Sequence, residues 1–520
     1  MKQSFSRRDF LKLAGLTPFG LIAPPLIKKF GLQGLMEGEK KNVLVVLFDA
    51  FSAKNISMYG YERETTPNLS KLAKRATVYH NHFSAGNFTA PGTASLLTMT
   101  LPWTHRSFNF DGVIKSMSSK SVFHAFDDYY RVGYTHNPLA NRLLRQFQAD
   151  IDEYIPRERL FINNDGLINR LFANDEDTAT VAWSREMKIG EEGYSYSLFL
   201  PRLYEKHQDN KIARYKDTFP NGVPNIMSDN YFTLEDGIDW LSNSTAESLQ
   251  PFFSYFHFMP PHAPYLPRRE FTDVFLNDSW KPLDKPLDFF IGYHETHPYS
   301  QGTLAKRRAR YDEFILYVDS EFGRLINSLE SSGLMENTWV VLTSDHGEMQ
   351  ERGISGHSTP TFYQPIVRIP LMIFEPGQKT GREIHTPTSA IDVMPTLLHV
   401  TGHNMPAWAE GNILPPFAPP TSKPSTGLYA VEAKKNSPDR SLTEATIMHI
   451  LGDYKIIYYF GYEEFGSESE HVELFDIKSD PEELNDLSLT RKGLASDMLA
   501  IVKSKLKEVN EPFPVGEAAT

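Results

Sequence analysis

A chain of 520 residues with 40% hydrophobic and 23% charged residues has the composition of a folded globular protein, not of a disordered or membrane-embedded one, and its length suits one large domain with a smaller one attached. Its formal net charge of -12 argues against a polyanion-binding surface, so no nucleic acid is expected as a partner. Without cysteine the chain has no disulfide, no thiolate metal site and no cysteine nucleophile.

The chain opens with Ser6-Arg7-Arg8-Asp9-Phe10-Leu11-Lys12, which matches the twin-arginine export signal, and the uncharged stretch from Leu13 to Ile27 supplies the apolar segment that follows such a signal. That stretch is Pro-rich and shorter than the about 20 apolar residues of a membrane span. An amphipathic start to a cytosolic protein is the plainer alternative. Residues 1–36 are therefore expected to be an export signal or N-terminal anchor. The twin-arginine machinery is then a partner, membrane association runs through this segment, and the location is periplasmic, extracellular or membrane-anchored outside the cytoplasm.

Asn42 to Phe48 is a continuous apolar, β-branched run suited to a strand buried on both faces of a parallel sheet. Pro251–Phe258, Trp339–Thr343 and Pro370–Phe374 read as further strands, and a helical periodicity runs from Tyr311 to Leu329. Strands separated by helical segments predict crossover connections, hence an α/β fold with a mostly parallel central sheet flanked by helices. Residues 37–404 are expected to form this catalytic domain. Within it, about 110–245 alternates poorly and reads as helices and loops inserted over the active-site edge. The Pro-rich 405–424 reads as a surface linker. Residues 425–520 read as a small α+β C-terminal subdomain, with Tyr454–Tyr459 and His471–Asp476 as a hairpin and Gly493–Val509 as a final helix.

In a sheet of this kind ligands bind beyond the carboxyl ends of the strands. Asp49, His262 and the pair Asp345-His346 all fall just past such ends. Hard oxygen donors with an imidazole are what a divalent cation beside an anionic ester requires. An Asp-His pair at a strand end serves equally well as a helix cap. Thr89, in Gly86-Asn-Phe-Thr-Ala-Pro-Gly-Thr, is expected at the N-cap of a helix with Pro91 in the first turn. There the positive end of the helix dipole attracts anions and eases formation of an alkoxide. A plain capping role fits the same local sequence, just as His262 and His357 each fit a buried, hydrogen-bonded histidine. Phe256, His257 and Phe258 read as strand core.

Seven blocks, in order across residues 42–487, resemble the sulfatase family of the alkaline phosphatase superfamily. They are Phe48-Asp49 with Met58 to Leu69, Thr89 to Thr98, Pro260 to Tyr265, Thr343 to Glu348, Gly356 to Thr359 with Arg368 to Leu371, Asp392 to Thr396, and Glu473 to Glu483. The resemblance implies one divalent metal ion (Mn, Zn, Mg or Ca) held by Asp49, Thr89, Asp345 and His346. It implies Thr89 as the nucleophile, His262 near the leaving group and His357 on the anionic oxygens. Thr89 stands where sulfatases carry the cysteine or serine that becomes formylglycine, and threonine cannot form that aldehyde. Gly92 and Thr93 replace a Ser and an Arg of the family motif, and Ala50 replaces a second Asp. The remaining set is similar to that of phosphoethanolamine and glycerol-phosphate transferases, whose nucleophile is an unmodified threonine.

The function implied is an exported, metal-dependent hydrolase acting on a phosphate, phosphonate or sulfate ester through Thr89, with a small anionic ester as substrate. Three alternatives stay open: a formylglycine-independent sulfuric ester hydrolase, a phosphotransferase to an alcohol acceptor, and an inactive anion-binding homologue.

Overall fold

The computed structural model describes residues 40–114, 116–163, 206, 209–226, 230–248, 250–285, 297–419, 427–465 and 470–514, and residues 41 onward form one compact unit. The expected export segment lies outside the described residues.

The apolar run after Lys41 becomes β1 (Asn42–Asp49), buried along its whole length. Successive side chains of a strand point to opposite faces, so Leu44, Val46 and Phe48 enter one core while Val43, Val45 and Leu47 enter another. The sheet around it contains β2 (Thr77–Tyr79), β3 (Tyr130–Thr135), β4 (Glu153–Tyr154), β5 (Phe252–Pro261), β6 (Thr338–Thr343), β7 (Leu371–Phe374) and β8 (Arg382–Ile384). Its order is β8-β2-β7-β6-β1-β5-β3-β4. Only β7 runs antiparallel to its neighbours β2 and β6; the other adjacent pairs are parallel.

Helices α1 (Thr89–Thr98), α2 (Pro138–Gln146), α3 (Leu234–Ala246), α4 (Gln301–Ser331) and α5 (Val393–Val400) flank this sheet. α3 and α4 pack on the first core, and α1, α2 and α5 on the second. The mostly parallel α/β sheet expected from the sequence is present. Burial of both faces is why its strands read as unbroken apolar runs.

One segment differs from expectation. The stretch 110–245 is not wholly an insertion, because β3, β4 and α2 belong to the sheet and its covering layer. Arg131 and Gly133 interrupt the apolar pattern of β3, whose first two residues are only half-buried, so the strand gave no clear period.

The C-terminal part forms a second, antiparallel sheet of β9 (Leu428–Glu432), β10 (Ala445–Leu451), β11 (Tyr454–Phe460) and β12 (Glu470–Asp476). β11 and β12 pair as expected, with Tyr454 opposite Asp476. One face is covered by α6 (Lys492–Asn510), through Ala495, Met498 and Val502. The other packs Met448, Ile457, Tyr459 and Phe475 against Met349, Phe362 and Ile366, which follow β6 in sequence. Both faces are thus tied down, one of them onto the loop that leaves the active edge of the large sheet. Between the sheets, Leu414 is buried and the Tyr79 hydroxyl donates to Pro415 O at 2.7 Å, so the described part of the Pro-rich stretch lies against the core.

Candidate active site

β1, β5 and β6 lie side by side: the carboxyl end of β1 delivers Asp49, β5 presents His257 from within the strand, opposite Leu47, and the loop Ser344-Asp345-His346 follows directly on β6. α1 adds Thr89 from across the loop. Phe88, not Thr89, is the N-cap, and Thr89 is the first helical residue. Its hydroxyl is therefore free of capping work and faces the cluster, 3.4 Å from His346 Nε2. Gly92, one turn on, lets α1 come this close, since a Cβ there would sit 2.3 Å from the Asp345 carbonyl oxygen.

Asp49, Asp345 and His346 each offer a donor atom, and these atoms all lie within 4.8 Å of one another. His346 Nε2 is 3.5 Å from Asp49 Oδ1 and 3.6 Å from Asp345 Oδ2. Asp49 Oδ1 and Asp345 Oδ2 are buried and, among the described residues, have no hydrogen-bond partner. Buried, unsatisfied carboxylate oxygens are costly unless something positive meets them. The other oxygens are occupied: Asp345 Oδ1 accepts from the Ala50 and His346 amides, at 3.3 and 3.0 Å. These three residues fit a divalent cation by donor type, spacing and unmet acceptors.

The electrostatics agree. Burial works against charge on Asp49, yet His262 and then the hydrogen bond with His257 outweigh it and hold its carboxyl below the usual range. Burial and then the Asp49 charge push Asp345 up, as expected for a second carboxylate beside a first. Burial lowers His346, keeping its imidazole neutral and able to act as a ligand.

His262 and His357 join the cluster. Their rings lie 5.0 Å apart, and His357 is 4.2 Å, ring to ring, from His346. For His262 burial opposes the charge, but the carboxylates of Asp49 and Glu348 prevail and its pKa rises. His357 Nδ1 is fixed by Glu348 Oε2 at 2.6 Å, while the Tyr265 hydroxyl donates to Glu348 Oε1 at 2.6 Å. All six residues singled out in the sequence therefore converge: Asp49, Thr89, His262, Asp345, His346 and His357.

Three others escaped the sequence reading. Asn137, the N-cap of α2, receives the Leu139 and Ala140 amides on Oδ1 and donates through Nδ2 to Asp49 Oδ2 at 2.5 Å and Thr89 Oγ1 at 3.2 Å. The Asn-Pro pair at 137–138 has the residue types of a helix start, a signal the sequence reading passed over, and nothing local in it points to a contact across the sheet. His257, read as strand core, is fully buried yet brings Nε2 to 3.1 Å from Asp49 Oδ2 and 3.7 Å from Asp345 Oδ2. A single imidazole in an aromatic strand was the available signal. Glu348 lay in a quoted block without a role.

Fold and cluster together define an α/β enzyme with a buried polar centre at the carboxyl edge of its sheet, and comparison with known proteins gives the class. The family model for sulfatases matches residues 41–403, and that for the C-terminal part of N-sulphoglucosamine sulphohydrolase matches residues 359–511. Choline-sulfatase of Rhizobium meliloti (strain 1021) is 25% identical over 482 residues, covering 87% of this chain and 83% of the relative. Arylsulfatase K of Xenopus laevis is 27% identical over 499 residues, covering 90% and 82%. The crystal structure of phosphonate monoester hydrolase of Agrobacterium radiobacter shares the fold, with a TM-score of 0.61 at 17% identity over 89% of this chain and 96% of that one. The chain belongs to the sulfatase family of the alkaline phosphatase superfamily, and is a hydrolase of that family. Enzymes of this family use a divalent metal, and Asp49, Asp345 and His346 are a candidate ligand group for one here.

Proposed function

We propose that this protein hydrolyses a sulfate, phosphonate or phosphate ester of a small molecule with Thr89 as the nucleophile. The observation that carries this reading is the position of the Thr89 hydroxyl, at the start of α1 and 3.4 Å from His346 Nε2, beside two carboxylate oxygens that find no hydrogen-bond partner among the described residues. The family names support the substrate class: one relative is a choline-sulfatase and one structural neighbour a phosphonate monoester hydrolase.

Asp49, Asp345 and His346 would hold the divalent ion. When bound, such an ion supplies Lewis acidity, neutralising ester oxygens and lowering the pKa of an adjacent hydroxyl. Asn137 Nδ2 donates to the Thr89 oxygen and so stabilises it as charge develops. The N-terminal end of α1 adds its dipole in the same sense. Thr89, its hydroxyl proton released to solvent, attacks sulfur or phosphorus as the alkoxide, and the bond from that atom to the ester oxygen breaks as the alcohol leaves. His262, whose pKa is raised against burial by the neighbouring carboxylates, first Asp49 and then Glu348, gives its proton to the departing oxygen. Water then takes the group from threonine, giving its proton to the now neutral His262 and restoring the Thr89 alkoxide. His357, aimed by Glu348, steadies the non-bridging oxygens.

A panel of aryl sulfate, phosphate monoester, phosphodiester and phosphonate substrates ranks the ester classes. Thr89→Ala should lose at least about 10³-fold in kcat/KM, as for removal of a covalent nucleophile, while Thr89→Ser keeps measurable turnover. Intact mass after brief exposure to substrate should show the transferred group on Thr89. Turnover that survives Thr89→Ala removes the assignment. Product analysis with glycerol present distinguishes transfer to an alcohol from transfer to water.

We also propose that residues 1–36 send the protein through the twin-arginine route, on the strength of Arg7-Arg8 and the apolar stretch after them. Replacing both arginines with lysine should trap the protein in the cytoplasm, as read by cell fractionation. Unchanged export would refute this route.

A further inference from the structure

We propose a second metal site, separate from the catalytic cluster, at the outer edge of the central sheet, formed by His80, Glu383 and His385 and taking a borderline divalent cation such as zinc. The sheet itself builds it. β2 and the edge strand β8 are parallel, with Tyr79 opposite Ile384. The His80 amide donates to Ile384 O at 2.8 Å, so the pairing runs one residue further and sets His80 beside His385. Glu383 in β8 and His385, the residue after its end, are two apart, a spacing that in extended chain sends both to the same face. Three donors of the right kind thus share one face of a backbone that is already fixed.

The side chains meet. The His80 and His385 rings lie face to face with centroids 4.3 Å apart and 16° between their planes; because an ion sits in the plane of each imidazole that binds it, binding turns the exposed His385 ring out of this stack. Glu383 Oε2 is 3.0 Å from His80 Nε2 and 3.9 Å from His385 Nε2, and one donor from each residue lies within 4.8 Å of both others. Tetrahedral zinc, with bonds of about 2.0–2.1 Å, holds its donors about 3.3 Å apart, which the two measured separations straddle. Side chains hold the two carbonyls in place: Asn81 Nδ2 donates to His385 O at 2.7 Å, and Arg368 Nε to His80 O at 2.9 Å. The His80 side chain is 19% exposed and those of Glu383 and His385 are 65% and 69%, which leaves room for water as a fourth ligand. Two imidazoles and one carboxylate select zinc, nickel or copper over magnesium or calcium. A bound ion would clip β8, three residues long, to β2 and so secure the end of the sheet.

The test equilibrates untagged full-length protein and His385→Ala with zinc under identical conditions and compares metal content by mass spectrometry and the thermal midpoint. His385 is exposed and outside the catalytic cluster, so the variant keeps the fold. The parent should carry one more zinc per chain than His385→Ala, and zinc should raise the parent's midpoint more. Glu383→Gln should behave like His385→Ala. Parent and variants all retain Asp49, Asp345 and His346, so the difference does not depend on whether the catalytic cluster takes metal. Equal zinc content in parent and His385→Ala, at every zinc concentration, overturns the proposal.

Discussion

Asn137 carries two duties on one amide, and substitutions can separate them. Its carbonyl oxygen caps α2 by accepting from Leu139 N and Ala140 N, while its amino group reaches Asp49 and Thr89. Asn137→Ala should therefore cost about 1 kcal/mol of stability through the lost cap. It should also lower kcat by about 10²-fold through loss of a donor to the nucleophile. Asn137→Ser keeps a capping oxygen but is too short to serve both Thr89 and Asp49. Its unfolding midpoint should stay near the parent's while kcat falls as for alanine. If kcat follows the cap, with serine restoring it, the contact to Thr89 is structural only.

At the scale of elements, α1 depends on its approach to the loop after β6. A Cβ on Gly92 would meet Asp345 backbone atoms at 2.3 and 2.9 Å, and backbone cannot yield as a flexible side chain does. Gly92→Ala should cost about 1–3 kcal/mol, the usual penalty of overpacking. It should also weaken metal binding by displacing Asp345, measured as a lower Tm together with a higher Kd for manganese. Unchanged values of both would show that the helix can move away freely. The same elements show what the sequence could disclose. β1, β5 and β6 were legible because strands buried on both faces leave long apolar runs, and their ends marked Asp49 and Asp345-His346. The position of Thr89 was legible to within one residue from the helix start. β3 was not, since Arg131 and Gly133 break its pattern, and with it went Asn137, whose contact to Asp49 spans 88 residues. His257 was visible as a residue but not as a site member, because its reach to Asp49 depends on a register that pairs it with Leu47, two residues before Asp49 on the same face of β1.

For the molecule as a whole, buried histidines tie stability to pH. His82 is fully buried, shares Nδ1 with Thr388 Oγ1 at 2.9 Å, and is pushed by burial down to about 3. The folded chain thus keeps this imidazole neutral, whereas the unfolded chain binds a proton below about 6.5. Its contribution is complete above that value and is lost as pH falls toward 3. By pH 5 the loss is about 2 kcal/mol. Other buried acids shift in the opposite sense, among them Asp392, raised by burial to about 6, so the clean measurement is a difference. Between pH 7 and 5, the unfolding free energy of His82→Gln should gain about 2 kcal/mol relative to the parent in urea titrations. A constant gap would mean that the imidazole is charged, or accessible, in the folded state.

The one strand that runs against the sheet has a consequence for how this scaffold can change. Leu371, at the start of β7, stands beside Thr343, at the end of β6. Residues 344–370, which carry Asp345, His346, Glu348 and His357, therefore leave and rejoin the framework at adjacent points. Chain can be inserted or exchanged in the parts of this excursion that do not pack on the second sheet, leaving Met349, Phe362 and Ile366 as its anchors, at little entropic cost and without sliding any strand. The excursion works as a cartridge: a descendant could alter the reach and selectivity of its histidines while inheriting the frame unaltered.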